Sequence, residues 1–154
     1  EVLPIGLGAR DSLRLEAGLC LYGHDMDEST DPVEASLVWS LGKRRKEARD
    51  FPGADRITEH LLKGAAKKRV GLRPEGRAPA REGTEIADKS GRIVGRVTSG
   101  GFGPSLNAPL AMGYVETEFS ATGTKLDLLV RGKALAAEIV AMPFVPNRYK
   151  RAKK

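Results

Sequence analysis

The chain has 154 residues, of which 40% are hydrophobic and 30% charged, the composition of a globular protein with room for one substantial core or for a small domain plus a piece of another. No apolar run approaches the roughly 18 residues that a membrane-spanning helix needs. The opening EVLPIGLG has neither the basic start nor the apolar core of a secretory signal, so no signal peptide is expected, and the absence of an initiator Met is compatible with a processed fragment. The net charge of +6 is unevenly spread: residues 1–42 carry two basic groups against eight acidic ones, and residues 43–154 carry 24 basic against 12 acidic. The aromatics of the basic part are scattered rather than interleaved with its Lys/Arg runs, so a base-stacking surface for nucleic acid is not indicated. Cys20 is alone and cannot close an internal disulfide, which suits a reducing compartment.

In chain order, Gly8–Gly18 reads as a helix, with Ala9, Leu13 and Ala17 one turn apart and Gly18 placed to stop it. An apolar stretch follows and turns into the acidic loop around Asp25, Asp27 and Glu28, carboxylates expected to face water. Asp31 and Pro32 have the character of an N-cap and a first helical residue, which predicts a helix over PVEASLVW. Lys43–Arg49 reads as a solvated charged face. Beyond the Asp50–Gly53 break, ADRITEHLLK predicts a short amphipathic helix with Ile57, Leu61 and Leu62 inward, His60 outward and Gly64 ending it.

From about Lys67 the texture changes to six or seven short β-type runs separated by Gly and Pro. In Lys125–Val130 the apolar Leu126, Leu128 and Val130 alternate with their neighbours at the period of a half-buried strand. Arg131 and Gly132 then read as a hairpin turn. Such runs without interleaved helices predict a small antiparallel barrel or sandwich after a boundary near Gly64.

Chemistry-bearing residues are few. GGFGPSL lacks both the spacing and the strand-to-helix setting of a phosphate loop. His24 and His60 have no Cys or carboxylate at metal-ligand spacing, so no metal site is expected. Cys20 reads as a small buried side chain. Arg10 and Arg14 share a helix face, and Arg suits a bidentate grip on a carboxylate, yet the residues alone favour pairing with a neighbour such as Asp11 or Glu16.

The string ARDSLRLEAGLCLYGHDMDESTDPVEASLVWSLGKRRK (residues 9–46) resembles a distinctive stretch of the glycine-cleavage T-protein family of aminomethyltransferases. The likeness continues, in order, through DFPGA, RVGL, EGRAPAREG, GRVTSG, PSL, AMGYV and MPFVPNRY, and so covers essentially the whole chain. The resemblance implies a tetrahydrofolate-dependent enzyme that moves a methylene group from the aminomethylated lipoyl arm of the H-protein to the folate, releasing ammonia. It implies an α+β tail of a second domain over residues 1–64 and a small antiparallel Greek-key β-barrel over residues 65–154. It also makes Arg10 a folate contact, reversing the preference for a local ion pair, with Trp39 lining the folate channel and Tyr149 near it. Arg69 corresponds to an arginine of structural or active-site importance. The catalytic aspartate and the pterin-recognising residues fall outside the chain, which is therefore expected to be inactive by itself and to bind folate weakly at most.

The family often has serine where Gly103 stands. The lipoylated H-protein of this family is typically acidic, so Lys43–Lys46 and the RYKRAKK tail could help it dock. The implied setting is a bacterial cytoplasm or a mitochondrial matrix. Two competing readings are the C-terminal folate part of a sarcosine or dimethylglycine dehydrogenase, and a non-catalytic basic barrel that binds RNA or an acidic protein.

Overall fold

In the computed structural model, which describes residues 2–150, a closed six-stranded antiparallel barrel carries an N-terminal helical arm on its outer surface. The strands are β1 (Lys67–Pro74), β2 (Glu85–Ala87), β3 (Ile93–Gly103), β4 (Ala108–Glu116), β5 (Lys125–Val130) and β6 (Lys133–Val140). Their order around the barrel is β1-β4-β3-β2-β5-β6, with β6 pairing back to β1. The meander β2-β3-β4 with β1 returning beside β4 is a Greek key, and closure leaves no sheet edge exposed.

Alternation puts Val70, Leu72, Ile86, Val97, Val115, Leu126, Leu128 and Ile139 into one interior cluster, with Leu72, Ile86, Leu126 and Leu128 fully buried. The β5–β6 turn follows the sequence reading: Arg131 and Gly132 both have positive φ, as a two-residue hairpin compatible with strand twist requires. Within the stretch of expected β-type runs, residues 75–84 form a loop between β1 and β2, and GGFGPSL is the end of β3 with its turn into β4.

The outside of the barrel at β1, β3 and β4 is also covered. Helix α1 (Leu7–Glu16) ends in a Schellman motif: the N–H of Leu19 donates to Arg14 O and that of Gly18 to Leu15 O, with Gly18 at φ 65°. Its Leu15 packs with Leu110 and Met112 into a second apolar cluster, closed by Met142 and Phe144 from the segment after β6. This explains why β1 does not alternate in burial: a Cβ on Gly71 would lie 2.7 Å from Met142 Cγ. A Cβ on Gly103 would lie 2.6 Å from Leu110 Cδ1 and 3.1 Å from Glu16 Oε1, so glycine fits the crowding beneath α1 without displacement. The buried Glu16 carboxylate accepts from the N–H and hydroxyl of Ser105, both at 2.7 Å.

Three expectations need correction. The helix over residues 32–39 is a single turn. Asp31 does cap it, accepting from the N–H of Val33 and Glu34, but Ser36 turns to φ 57° and only a 3-10 turn, Val38–Ser40, follows. The cause is tertiary, because the Glu34 and Ala35 carbonyls that a continuing helix needs accept instead from the N–H and Nε of Arg69. The charged run read as a solvated face folds into a short exposed helix, α2 (Lys43–Ala48), while α3 (Ala54–Lys63) forms as expected and Gly64 ends it. On α3, however, Ile57 is half-buried while Leu61 and Leu62 are 41% and 75% exposed, so those two do not face a core within these residues. His60, expected to face water, is half-buried and meets Asp31.

Truncating Leu128 to Ala should cost about 2–5 kcal/mol in urea unfolding, because it opens a cavity in the closed barrel. Leu62→Ala should stay within about 0.5 kcal/mol. The β2–β3 turn adds a pH term. Asp88 accepts from the Ser90 side chain and from the N–H of Ser90 and Arg92, and these bonds, the Ser90 hydroxyl first, hold its exposed carboxyl below its ordinary value. A depressed carboxyl stabilises the fold above the unfolded value, and that gain is lost as pH falls through the folded one. The difference in urea midpoint between the parent chain and Asp88→Ala should therefore be flat from about pH 8 to about pH 5 and shrink below about pH 4.

Candidate functional site

The arm and the barrel meet at a buried ion pair. Arg14, on the barrel-facing side of α1, donates from NH1 to Asp25 Oδ2 at 2.6 Å and to Ser99 Oγ at 2.8 Å, and from Nε to Asp11 Oδ1 at 2.7 Å. Asp25 has a fully buried side chain and four donors. Thr98 Oγ1 reaches its Oδ1 at 2.6 Å, while Arg14, Ser99 Oγ at 2.9 Å and the N–H of Leu21 at 3.0 Å share Oδ2. The Tyr114 hydroxyl donates to the Asp25 carbonyl at 2.7 Å, and burial pushes that phenol well above its ordinary range. Asp25 thus ties helix, loop and strands β3 and β4 together, where the sequence reading had it facing water. Asp27 and Glu28 are exposed as expected, Asp27 closing an Asx turn with Ser29.

This bracing fixes the flank of α1 that carries both arginines. Arg10, one turn before Arg14, is exposed and has no hydrogen-bond or ion-pair partner among the described residues. It lines two cavities. One, of about 470 Å³, is shared with Arg14, His24, Arg81 and Ser99. The other, of about 650 Å³, is also shared with Arg14 and is lined by Leu7, Leu13, Leu19, Asn147 and Tyr149, with no carboxylate among its lining residues. Arg10 and Tyr149, distant in sequence, therefore stand on one apolar-floored hollow, the pairing expected of an anion held beside an aromatic surface.

The other two candidate residues stand elsewhere. Trp39 is 75% exposed in the 3-10 turn and lines neither Arg10 cavity. Arg69 is 5% exposed, and two of its side-chain nitrogens are engaged inside the chain: Nε on Ala35 O at 2.8 Å, and Nη1 on Gly18 O at 3.0 Å and on Met112 Sδ at 3.1 Å. It binds the arm to β1.

Sequence reading missed Asp25, and also the carboxylates that approach the histidines. His24 Nδ1 lies 2.6 Å from Glu82 Oε2, and His60 Nδ1 lies 2.6 Å from Asp31 Oδ2. Both partners are remote in sequence, so spacing carried no trace of them. Cys20 is half-buried, and burial pushes its thiol up, away from nucleophilic use. On α2 and after it, Arg44 and Arg45 pair with Asp50 and Lys43 approaches Glu47 at 3.8 Å, all exposed. The end of the basic tail, residues 151–154, lies outside the described residues.

Two families match the chain: the Glycine cleavage T-protein C-terminal barrel domain over residues 67–146 and the GCVT N-terminal domain over residues 1–45. The chain is similar to the mitochondrial aminomethyltransferase of Gallus gallus, 55% identical over 99% of this chain and 39% of the relative. It is similar also to that of Homo sapiens, 54% identical over 97% of this chain and 37% of the relative. A solved glycine cleavage system aminomethyltransferase T from Bartonella henselae superimposes with a TM-score of 0.91 at 47% identity, covering 96% of this chain and 41% of that one. The chain thus spans well under half the length of the proteins it matches.

Removing one member of the buried pair should be costly, because the other charge is then left without a partner in a dry site. Asp25→Ala and Arg14→Ala should each lower stability by about 3–5 kcal/mol in urea unfolding, with the double variant costing clearly less than the sum.

Proposed function

The chain belongs to the glycine cleavage T-protein family, and from that premise we propose that the full-length protein is the tetrahydrofolate-dependent aminomethyltransferase of the glycine cleavage system. It takes a methylene group from the aminomethylated lipoyl arm of the H-protein, passes it to tetrahydrofolate and releases ammonia. In this reading residues 1–64 are the tail of the folate-binding α+β domain, residues 65–154 are the C-terminal barrel, and the catalytic aspartate lies outside the chain. The working compartment is a mitochondrial matrix or a bacterial cytoplasm. The aminomethyltransferase names of the relatives favour this over a sarcosine or dimethylglycine dehydrogenase.

The observation that carries the site assignment is Arg10, without a partner among the described residues, above a hollow that Tyr149 also lines. Folate ends in a glutamate carboxylate, and a free guanidinium on a braced helix is suited to hold it with charge-assisted hydrogen bonds. Tetrahydrofolate, when bound, supplies the nitrogens that accept the one-carbon unit. The chain's own residues do other work: Arg10 orients the carboxylate end, Tyr149 walls it, and the Arg14–Asp25 pair, one turn away, fixes the helix that carries Arg10. Trp39 contributes a flat apolar face to the channel at a different point of the arm. Arg69 acts by holding the arm in place. The exposed Lys43–Lys46 stretch adds a positive surface for the acidic lipoyl-bearing partner.

In the full-length protein, Arg10→Ala should weaken tetrahydrofolate binding about tenfold to a hundredfold, the worth of hydrogen bonds to a charged group, with fold and melting temperature unchanged. Unaltered affinity would remove Arg10 from the site. Neutralising Lys43–Lys46 should raise the KM for the lipoyl protein in low salt and have little effect in high salt.

A further inference from the structure

A second cluster, which the folate reading does not use, lies where the capped turn at Asp31 meets α3. Asp31 and Glu34 have nearly buried side chains, 7% and 6% exposed, and His60 approaches them from α3 at 21%. One ligand atom from each of the three can be chosen so that all lie within 4.8 Å of one another. The arrangement is oriented from behind. Asp31 Oδ1 is committed to the N–H groups of Val33 and Glu34, which leaves Oδ2 turned to His60 Nδ1 at 2.6 Å. Glu34 Oε2 accepts the N–H of Asp31 at 3.3 Å. The balancing cation is Arg56, at 3.3 Å from both carboxylates; its side chain is 51% exposed and it also donates to Ser29 O. Two nearly buried carboxylates are thus matched by one guanidinium that stands half in water. Helix α3 buries no side chain but Ala54, so this polar cluster is its principal attachment to the preceding turn.

We propose that Asp31, Glu34 and His60 form a binding site for a divalent transition ion of the zinc class, with Arg56 as the resident cation that the metal displaces. One imidazole and two carboxylates suit zinc, which takes three protein ligands and a water, and suit magnesium or calcium poorly, since those seek six or more oxygens. Ligand atoms around zinc stand about 3.4 Å apart, so separations of up to 4.8 Å must close while His60 Nδ1 and Asp31 Oδ2 part from 2.6 Å, shifts that rotations of the Glu34 and His60 side chains supply. Charge balances simply. The ion neutralises both carboxylates, Arg56 leaves for solvent with its charge, and the hydrogen between His60 Nδ1 and Asp31 moves to His60 Nε2 or is released. The Val33 and Glu34 N–H groups already supply the outer bonds that orient Asp31. The ion would clamp α3 to the arm; it takes no part in the one-carbon transfer.

The test is calorimetric titration of the metal-free full chain with zinc chloride, with thermal unfolding in parallel. One zinc per chain is expected, with a higher melting temperature, and magnesium at the same concentration should give neither. His60→Ala and Asp31→Asn should each weaken binding about tenfold or more. Arg56→Ala, which removes the competitor and none of the ligands, should tighten binding several-fold, a change that a merely structural role for Arg56 does not produce. Failure to bind zinc stoichiometrically, binding indifferent to His60→Ala, or weaker binding by Arg56→Ala would each overturn the proposal.

Discussion

The ion pair between Arg14 and Asp25 is the constraint on which the arrangement of arm and barrel turns. A carboxylate with no exposed surface is tolerable only because a guanidinium, two hydroxyls and a backbone N–H converge on it. Those donors come from α1, from the loop that follows it and from β3, so satisfying one charge fixes three segments at once. The apolar contacts of Leu15 with Leu110 and Met112 supply adhesion, while the ion pair supplies position. What is positioned with it is Arg10, one turn before Arg14 on the same flank of α1, which has no partner among the described residues.

Arg69 performs a parallel task at the other end of the arm. It gives its backbone N–H to Glu34 O, its Nε to Ala35 O and its NH1 to Gly18 O, and the Ser36 hydroxyl donates to its carbonyl. An irregular segment this close to a barrel wall would otherwise bury unsatisfied carbonyls. The same bonds stop the helix that Asp31 and Pro32 begin. Local cap chemistry was correctly legible there, and a side chain some 35 residues downstream overrode its continuation.

Much of the barrel could be read directly, because its signals are local. The alternation in Lys125–Val130, the turn at Arg131–Gly132 and the Gly/Pro punctuation each follow from the nearest few residues. The arm was less legible because its determinants are distant. Asp25 belongs to an acidic loop by composition, and only Thr98, Ser99 and Arg14 make it an interior residue. His60 looked exposed because its partner Asp31 lies before α2. Leu61 and Leu62 looked inward because α3 is amphipathic, yet neither is buried by the described residues. Of the site, the family likeness supplied Arg10 and Tyr149, and the fold adds that both line one hollow.

In the proposed function, the bracing of α1 by the barrel holds Arg10 ready for the folate carboxylate. The decisive measurement is a crystal structure of the full-length protein with bound tetrahydrofolate. The expected result is the folate glutamate carboxylate within hydrogen-bonding distance of the Arg10 guanidinium, with Tyr149 alongside and the Arg14–Asp25 pair intact beside it. A glutamate carboxylate lying in solvent, or gripped by another cation while Arg10 points away, would contradict it.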